Sequence, residues 1–584
     1  MSTTIILLLL CCASGSLALS TTGPTHHFLP NSPILTTGVD FSAWKNAFSN
    51  CPRELGPTIV ELPEALPPDF PTGTYYRNGH ARFCADDATS CLHPFDADGM
   101  IVAMTFDASN PSQVLFRNKF VDTEGYIEDK ETGGMSQRGL FGTKKSGGRI
   151  ANMFQMDYKH VANTNVIHGG DSLFALWEGG KPYLLDPLTL CNKNGKGKAG
   201  LTDLNGLLSD NFSAHPRYDP VRKTYVNFGS VFDPLKSEFR VSMYEVDATT
   251  FRSKRKNGAI PNFVLDSPAL LHDFILTTNF IVFFINDTRI NIVSAIKAML
   301  GYGGFAGSLE VDKDAEHSHV VLIPRSLFDK DQDAVADMDL FKDERIIVVP
   351  MDRHFAFHYA NAFEDIEGNL VFDTVQMDGM ELAADFEEPF WKIDNPFRDI
   401  TPTRLMRYTV DIQNKRLAGD SEQPNPKVLT TRLPEFPSIP RDISTKRHRY
   451  IYPVVARKKV NVDPKICGLG GPVAAVAKID AEDTTNNQYF SFEPHEFPSE
   501  AILVPKAGKN VALPLEEDAC YMIVQVTNGK GLKTDVAIFD VEGNQSLEKG
   551  PILRFPLPVF IPHQLHGSFA EGVTFEFDLV SGGI

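Results

Sequence analysis

The stretch "YMIVQVTNGKGLKTDVAIFDV" (521–541) decides the fold class, because it contains two short runs of β-branched and aromatic residues, YMIVQVT (521–527) and VAIFDV (536–541). Such runs, bounded by Gly, Pro, Asp or Asn, are typical of β-strands. Seven more occur along the chain: IVAMTF (101–106), SLFALW (172–177), TYVNFG (224–229), HVVLIP (319–324), RIIVVP (345–350), NLVFDTV (369–375) and AILVP (501–505). No long linker and no break in composition separates them, so the sequence favours one large, mostly antiparallel β architecture. A propeller fits this pattern, because radial blades protect strand edges and leave an axial channel.

The composition of the 584 residues is that of a globular protein, with 42% hydrophobic and 22% charged residues. Acidic residues outnumber basic ones by 74 to 56, which gives a formal charge of −18. This charge repels phosphate backbones and disfavours a nucleic acid partner. The one basic run, RSKRK (252–256), is either a solvated loop or a contact with anionic lipid headgroups.

The first twenty residues, MSTTIILLLLCCASGSLALS (1–20), contain no charged side chain and an apolar run that is too short to span a bilayer. We interpret them as a cleaved secretory-type leader, followed by an N-terminal extension (21–44) and a single domain (45–584). The leader predicts transfer into the secretory pathway. A secreted or lumenal protein and a plastid protein that travels through the endoplasmic reticulum both remain open. No later segment has eighteen uninterrupted apolar residues, so the mature chain is not expected to span a membrane.

Cysteines and sequons leave further alternatives open. The cysteines do not show the close pairs of a zinc site. Cys84 and Cys91, in CADDATSC, could form a local disulfide in an oxidising lumen. Asn211, Asn286 and Asn544 begin N-glycosylation sequons.

One segment departs from the β pattern. The strongly apolar FILTTNFIVFFI (274–285) is followed by NIVSAIKAMLGYGGFAGSL (291–309), which begins with apolar residues at helical spacing. This region (274–309) is either a helix packed over the rim of the propeller or an apolar lip that contacts a membrane where a lipid-like substrate enters.

A single histidine among apolar neighbours is more often a packed core residue than a ligand, but several of the 16 histidines stand in distinctive phrases. These are SAHPRYDP around His215, LLHDFILTTNF around His272, FAFHYANAFED around His358 and QLHGSF around His566. Before and between them are GTYYRNGH (73–80), HPFDADGM (93–100), NTNVIHGGDSLFALWEGGKPYLLDPLTL (163–190), LPEFPSIP (433–440) and FEPHEFPSEAILVP (492–505).

These phrases resemble, in the same order, those of the carotenoid cleavage oxygenase family, non-haem iron enzymes that split conjugated double bonds with dioxygen. A relative in that family is the retinoid isomerase of the eye. The resemblance covers about residues 45–584. It implies an all-β, seven-bladed β-propeller, with a cap of helices and loops over an axial Fe(II). Zinc and copper also accept imidazole, so iron follows from the resemblance and not from the residue types.

The resemblance also implies the residues of the metal site. The four ligands would be His215, His272, His358 and His566. Three glutamates would accept hydrogen bonds from the other ring nitrogens and so fix the tautomers: Glu178 would orient His272, Glu435 would orient His358 and Glu493 would orient His566. His215 would have no carboxylate partner.

Other histidines compete with these assignments, and the phrases decide between them. His354 lies four residues before His358, but FHYANAFE selects His358; the Gly after His566 selects it over His563. His93 belongs to a phrase without a ligand and is expected to be structural. The chain departs from the family in RNGHARF (77–83), where RNGPNP is usual, and in DADGM (96–100), where DGDGM is usual.

The predicted function is that of an Fe(II)-dependent dioxygenase that uses O2 to cleave a conjugated C=C bond of a hydrophobic carotenoid or apocarotenoid, giving two carbonyl products. Alternatives are cleavage of a stilbene or other phenylpropenoid, retinoid-type isomerisation, and a catalytically silent carotenoid-binding propeller. Tyr and Lys near the metal would favour a phenolic substrate, whereas an apolar tunnel would favour a polyene. The excess of 42 Phe over 15 Tyr favours the polyene.

Overall fold

The computed structural model describes residues 38–576, except for 156, 234–237, 254–261, 266–268, 287, 313–314, 328–337, 380–387, 394–401, 419–424 and 459–470. The predicted leader (1–20), the first part of the N-terminal extension and most of the basic run (254–256) lie outside these residues.

The strands form seven sheets, the blades of a β-propeller, so the predicted fold class is confirmed. Blade 1 contains β1 (Leu55–Glu61), β2 (Gly73–Arg82), β3 (Asp98–Phe106), β4 (Gln113–Phe120) and β33 (Gly567–Glu571). Blade 2 contains β5 (Asn165–Gly169), β6 (Ser172–Leu176) and β7 (Tyr183–Leu185). Blade 3 contains β8 (Arg217–Asp219), β9 (Thr224–Asp233), β10 (Glu238–Asp247), β11 (Asn262–Leu265) and β17 (Met338–Asp339). Blade 4 contains β12 (Ile275–Leu276), β13 (Phe280–Ile285), β16 (His317–Pro324) and β18 (Ile347–Asp352).

The remaining blades follow in chain order. Blade 5 contains β19 (Phe355–Glu364), β20 (Leu370–Met377), β21 (Arg404–Asp411), β22 (Arg416–Leu417) and β23 (Lys427–Val428). Blade 6 contains β24 (Pro434–Ser438), β25 (Tyr450–Ala456), β26 (Val473–Asp480) and β27 (Gln488–Ser491). Blade 7 contains β28 (Glu496–Pro498), β29 (Ile502–Pro505), β30 (Cys520–Asn528), β31 (Lys533–Asp540) and β32 (Leu553–Pro556). A separate hairpin is formed by β14 (Thr288–Ile290) and β15 (Leu309–Val311).

The two ends of the described chain meet in blade 1. Strand β33 pairs antiparallel with β2, with Arg77 opposite Gly567 and Tyr76 opposite Ser568. This strand therefore completes the first blade and closes the ring of the propeller.

The core consists of layers between blades. Strand β30 is buried along its whole length except at Asn528, because neighbouring strands and blades cover both of its faces. One cluster joins Val241 of blade 3 to Phe283 of blade 4, and another joins Val454 of blade 6 to Val524 of blade 7. Burial on both faces explains why these strands are continuous apolar runs instead of alternating ones.

Four α-helices occur among the described residues: α1 (Phe41–Asn46), α2 (Glu124–Thr132), α3 (Gly148–Asn152) and α4 (Ile292–Met299). Asn291 caps the start of helix α4, because its side chain accepts a hydrogen bond from the Ser294 N–H at 3.1 Å. The helical spacing at the start of 291–309 thus corresponds to one short helix. It ends before Gly301, which has a φ of 82° that residues with a Cβ rarely adopt.

The apolar run 274–285 is part of the propeller core, as β12 and β13. Phe274 and Phe283 are fully buried between blades, so this half of the expected membrane-contact region cannot reach a bilayer. Only its second half, around α4, is exposed. Within the described residues, no helix is long and apolar enough to cross a membrane.

Candidate metal centre

The four predicted histidines lie on four different blades and meet in space. Three of them lie one to three residues before a strand: His215 before β8, His272 before β12 and His566 before β33. The fourth, His358, lies within β19. The imidazole ring centroids of His215 lie 4.4 Å from His272, 5.2 Å from His358 and 4.7 Å from His566. Each of these four strands is at the edge of its sheet. The blades therefore bring together residues that are far apart in sequence.

The ring nitrogens converge on one point. His215, His358 and His566 each offer a nitrogen within 4.8 Å of the others, and the Nε2 atoms of His215 and His272 are 2.9 Å apart. Among the described residues, Nε2 of His358 has no hydrogen-bond partner although it is buried. Neutral imidazoles gathered in this way, with an unsatisfied nitrogen, fit a divalent transition metal.

Two of the expected histidine–glutamate pairs are present. Nδ1 of His272 donates to Oε2 of Glu178 at 2.6 Å, and Nδ1 of His358 donates to Oε2 of Glu435 at 2.7 Å. A carboxylate that accepts from Nδ1 keeps the proton there, so the Nε2 lone pair is free to bind a metal.

The assignment of Glu493 to His566 was wrong. Nδ1 of His566 donates to Oε1 of Glu500 at 3.0 Å, and the Gly567 N–H donates to Oε2 of the same glutamate at 3.0 Å. Glu493 lies in an exposed turn before β28, whereas Glu500 lies between β28 and β29, beside the strand that closes the ring. Both glutamates belong to the phrase FEPHEFPSEAILVP, and the path of the chain through blade 7 brings Glu500 to the site and leaves Glu493 exposed.

The charges of the site follow from burial and from these carboxylates. Burial lowers the pKa of His215 well below its ordinary value, and the other three histidines lower it further. Burial also lowers the pKa of His272, but the charge and hydrogen bond of Glu178 outweigh it, so that the pKa is raised. Burial lowers the pKa of His566 more than Glu500 raises it. His215 therefore stays neutral, the state in which imidazole binds a metal.

One arginine connects three of the histidine-bearing strands. Arg217, on β8, forms a salt bridge with Asp273, which follows His272. Its guanidinium also donates to the backbone oxygen of Tyr359, which follows His358, at 2.8 Å. The Tyr359 N–H in turn donates to Asp273 at 3.1 Å. We call these three residues the Arg217 clamp; sequence reasoning missed it, although each member stands beside a predicted ligand.

A second arginine supports the remaining histidine. Arg77 is fully buried on β2 and donates to the backbone oxygens of Leu565 and Glu500 at 2.6 and 2.5 Å. It thereby fixes the residue before His566 and the glutamate that orients it.

Phe436 has a strained backbone at the site. Its φ is 47°, in the left-handed region that non-glycine residues rarely adopt. In this conformation its N–H donates to Oε2 of Glu435 at 2.7 Å, and its ring lies 5.2 Å from that of His358 and 5.0 Å from that of His566. The strained backbone of Phe436 therefore allows this residue both to hold the Glu435 carboxylate and to pack its ring against two of the histidines.

A cavity of about 390 Å³ opens onto His272, His358 and His566. Its wall includes nine aromatic residues from helix α1, the loops and the strand ends: Trp44, Phe48, Phe95, Phe141, Trp177, Phe305, Phe357, Phe390 and Phe436. The described part of the wall contains no Tyr, Lys or Arg. This is an apolar chamber with the metal-type donors at one side.

The competing histidines have other roles. His354 lies between blades 4 and 5, where its Nδ1 donates to the Asp352 oxygen at 2.8 Å and its ring packs between Phe284 and Tyr408. His563 donates from Nε2 to the Pro498 oxygen at 3.1 Å. Cys84 and Cys91 are both free thiols, so no disulfide joins them here.

In two of the three sequons the asparagine side chain forms hydrogen bonds within the protein. The Asn211 amide donates to the backbone oxygen of Glu178 at 2.6 Å, and its Oδ1 accepts from the Ser230 N–H at 2.6 Å. Asn286 is buried and accepts from the Ser318 hydroxyl at 2.6 Å. Asn544 is exposed in a turn.

Comparison with known proteins agrees with this site. Residues 48–571 match the family described as retinal pigment epithelial membrane protein. The chain is 30% identical over 539 residues to the apocarotenoid-15,15'-oxygenase of Synechocystis sp., covering 90% of this chain and 96% of that protein. It is 24% identical to the chloroplastic carotenoid cleavage dioxygenase 7 of Oryza sativa, covering 84% and 86%. The crystal structure of cobalt-substituted Synechocystis ACO superposes with a TM-score of 0.76 at 27% identity, covering 91% of this chain and 99% of that one. The chain therefore belongs to the retinal pigment epithelial membrane protein family, the carotenoid oxygenases, and is an enzyme of the dioxygenase type.

Proposed function

We propose that the protein is an Fe(II)-dependent dioxygenase that cleaves one conjugated C=C bond of a carotenoid or apocarotenoid with O2 and releases two carbonyl products. The observation that carries this proposal is the opening of the histidine cluster onto an aromatic cavity. His215, His272, His358 and His566 would hold the metal, and Glu178, Glu435 and Glu500 would orient three of them.

Bound Fe(II) would supply the activation of O2. The side chains of this protein would position the polyene and exclude water. Phe357 lies edge-on to His272 at 5.2 Å, and Phe436 lies beside His358 and His566, so aromatic faces flank the place where a double bond must be held. A polyene has no acidic proton to remove, so no acid–base side chain is required beside it.

The composition of the cavity wall favours a polyene over a stilbene. Tyr and Lys near the metal would favour a phenolic substrate, and the described wall has no Tyr, Lys or Arg. A long apolar polyene gains free energy from contact with the Phe, Leu, Met and Trp side chains of this wall.

The test is aerobic incubation of iron-loaded residues 21–584 with carotenoids, apocarotenoids and stilbenes in detergent, with products followed by mass. We expect a pair of aldehyde or ketone fragments from a polyene, each carrying one oxygen from ¹⁸O2. His272→Ala and His566→Ala should lose both iron and turnover. Full turnover in either variant, or isomerisation without uptake of O2, would contradict the proposal.

We also propose peripheral membrane contact through α4 and its neighbour α3. Ile292 and Val293 of α4 are 44% and 62% exposed, and Ile150 of α3 is 84% exposed. The two helices touch, because the Phe154 N–H after α3 donates to the Met299 oxygen of α4 at 2.7 Å. Phe305, a few residues after α4, lines the cavity, so this exposed apolar patch lies on the same chain segment as the chamber wall.

Vesicle flotation tests this contact. We expect Val293→Glu to reduce binding to phosphatidylcholine vesicles several-fold, because a charge would have to enter the interface. Val221→Glu is a matched control, since Val221 is 65% exposed in the β8–β9 turn. Equal flotation of both variants and of the wild type would contradict the proposal.

For localisation, we propose that residues 1–20 are a cleaved leader into the endoplasmic reticulum. Asn544 is then the expected glycan acceptor, because the Asn211 and Asn286 side chains are engaged in hydrogen bonds. Translation with microsomes should give a glycosylated product whose mass shift disappears in Asn544→Gln. A product that stays outside the microsomes would refute the leader.

A further inference from the structure

Three histidines outside the metal cluster line the same cavity. His80 lies on β2, His93 precedes a short turn after it, and His563 lies three residues before His566. All three are buried, at 2%, 7% and 6% exposure. They are the polar groups in a part of the wall that is otherwise made by aromatic rings such as Phe48, whose centroid lies 6.1 Å from that of His80.

The hydrogen bonds of these histidines differ. Nδ1 of His93 accepts from the Phe95 N–H at 3.1 Å, and Nε2 of His563 donates to the Pro498 oxygen at 3.1 Å. Nδ1 of His80 is buried and has no hydrogen-bond partner in the described structure. Burying an imidazole in an aromatic wall without pairing it disfavours the fold, so a structural role alone does not explain His80.

Burial keeps these rings uncharged. It lowers the pKa of His80 to about 3, that of His93 to about 3 and that of His563 to about 4. A neutral imidazole offers one N–H donor and one acceptor nitrogen. The described wall contains no Lys or Arg that could balance an anion. The group that suits this part of the cavity is therefore a neutral oxygen, either a hydroxyl or a carbonyl.

The position of His80 relative to the metal site follows from the ring closure. The Asn78 N–H donates to the His566 backbone oxygen at 2.9 Å, so Asn78 of β2 lies directly beside this histidine of the metal site. His80 is two residues farther along β2, which is roughly 7 Å in a strand. A polyene that passes the metal histidines thus reaches His80 within the same chamber.

We propose that His80 is a specificity-determining residue that hydrogen-bonds the oxygen-bearing end group of the substrate, a hydroxyl or a carbonyl. The substrate class is then a polyene with a neutral oxygen function at one end, in preference to a hydrocarbon carotene. This inference rests on the proposed function for the choice of a polyene, but its binding step does not need the metal.

The test compares three polyenes of equal length that end in a methyl, a primary alcohol or an aldehyde group. Binding to the metal-free protein is followed through quenching of Trp fluorescence, because Trp44 and Trp177 line the cavity. Turnover (kcat/KM) is then measured with the iron-loaded protein. We expect the wild type to bind the alcohol or the aldehyde about tenfold more tightly than the methyl-ended polyene, the size of one net hydrogen bond.

His80→Phe should bring the three dissociation constants within about twofold of each other, because the ring remains and its nitrogens are lost. His80→Gln, which retains a donor and an acceptor, should keep part of the preference. Phe48→Leu is the control, since it changes the same wall and should weaken all three polyenes alike.

A wild type that binds all three equally, or a His80→Phe protein that keeps the preference, would overturn the inference. If His80→Phe does not fold, the inference is tested by the preference of the wild type for the oxygen-bearing polyenes and by the smaller preference expected of His80→Gln. Preferential binding of the oxygen-bearing polyenes without turnover would overturn the proposed function and leave the inference standing. Turnover of all three polyenes without such a preference would overturn the inference and leave the proposed function standing. No binding of any polyene would overturn both.

Discussion

At the scale of single residues, the glutamate beside His566 shows how far sequence reasoning reached. The phrases located the four histidines, Glu178 and Glu435, because each carries distinctive neighbours. The phrase FEPHEFPSEAILVP contains three glutamates, and the sequence alone does not say which one faces the axis. In the structure Glu493 is exposed, Glu496 pairs with Arg554, and Glu500 binds His566. Only long-range strand pairing separates these outcomes.

Glu500→Gln should lower metal affinity or turnover by roughly 10–100-fold, because a neutral amide oxygen accepts from Nδ1 of His566 more weakly than a carboxylate does. Glu493→Gln is the matched control and should behave as the wild type. The measurement is iron per chain after dialysis against a chelator, together with kcat/KM. If Glu493→Gln were the impaired variant, the original assignment would be right and the hydrogen bond seen here would not be functional.

At the scale of elements, the Arg217 clamp holds β8, β12 and β19 in one relative position. Asp273 is buried, with a side chain 1% exposed, and depends on Arg217 for its counter-charge. The sequence placed Arg217 and Asp273 next to predicted ligands but gave no sign that they meet, because they lie on different blades.

Arg217→Met should lower the free energy of unfolding by about 3–5 kcal/mol, the cost of leaving a buried carboxylate unpaired. Adding Asp273→Asn should recover part of this loss, since the uncompensated charge is removed. Urea denaturation followed by circular dichroism measures both. Additive losses in the double variant would show that the two side chains do not act as a pair.

Blade 5 contains a buried charge network that predicts acid sensitivity. Asp373 is fully buried and accepts from Arg407 at 2.7 Å and from His448 at 2.6 Å. Burial raises the pKa of Asp373, but Arg407 and His448 outweigh it and hold the pKa well below its usual range. A carboxyl whose pKa is depressed by folding stabilises the native state above its unfolded pKa, and this stabilisation is lost as the pH falls towards the folded pKa.

Asp373→Asn should therefore be less stable than the wild type at pH 7, by about 3–5 kcal/mol. The difference should narrow as the pH decreases below about 5, where the wild-type carboxyl begins to lose its advantage. Unfolding midpoints in urea at several pH values measure this. A gap that stays constant down to pH 3 would show that ionisation of Asp373 does not stabilise the protein.

At the scale of the whole molecule, the nine predicted strand runs all fall within or overlap observed strands, because continuous β-branched and aromatic segments are unambiguous when both faces are buried. The number of blades came from the family resemblance, since short strands such as β8 and β12 leave almost no pattern in sequence. Helix α4 coincides with the apolar residues at helical spacing at the start of 291–309, and Gly301, with its positive φ, follows the end of the helix.

Closure of the ring predicts a sharp dependence on the last strand. A chain that ends at His566 lacks β33 and should fail to unfold cooperatively, because blade 1 loses its partner for β2. A chain that ends at Glu571 keeps every β33–β2 pair and should retain a single transition. Thermal unfolding followed by circular dichroism distinguishes them, and equal transitions would show that closure does not support the ring.

The same closure sets an order in time. His566 directly precedes β33, so the last of the four imidazoles reaches the axis together with the strand that completes the first blade. A ribosome must release the chain as far as Glu571 before this pairing is complete, and pairing residues so distant in sequence is slow. Assembly of the histidine cluster is therefore coupled to formation of β33, and a nascent chain that stops before His566 lacks one of the four imidazoles.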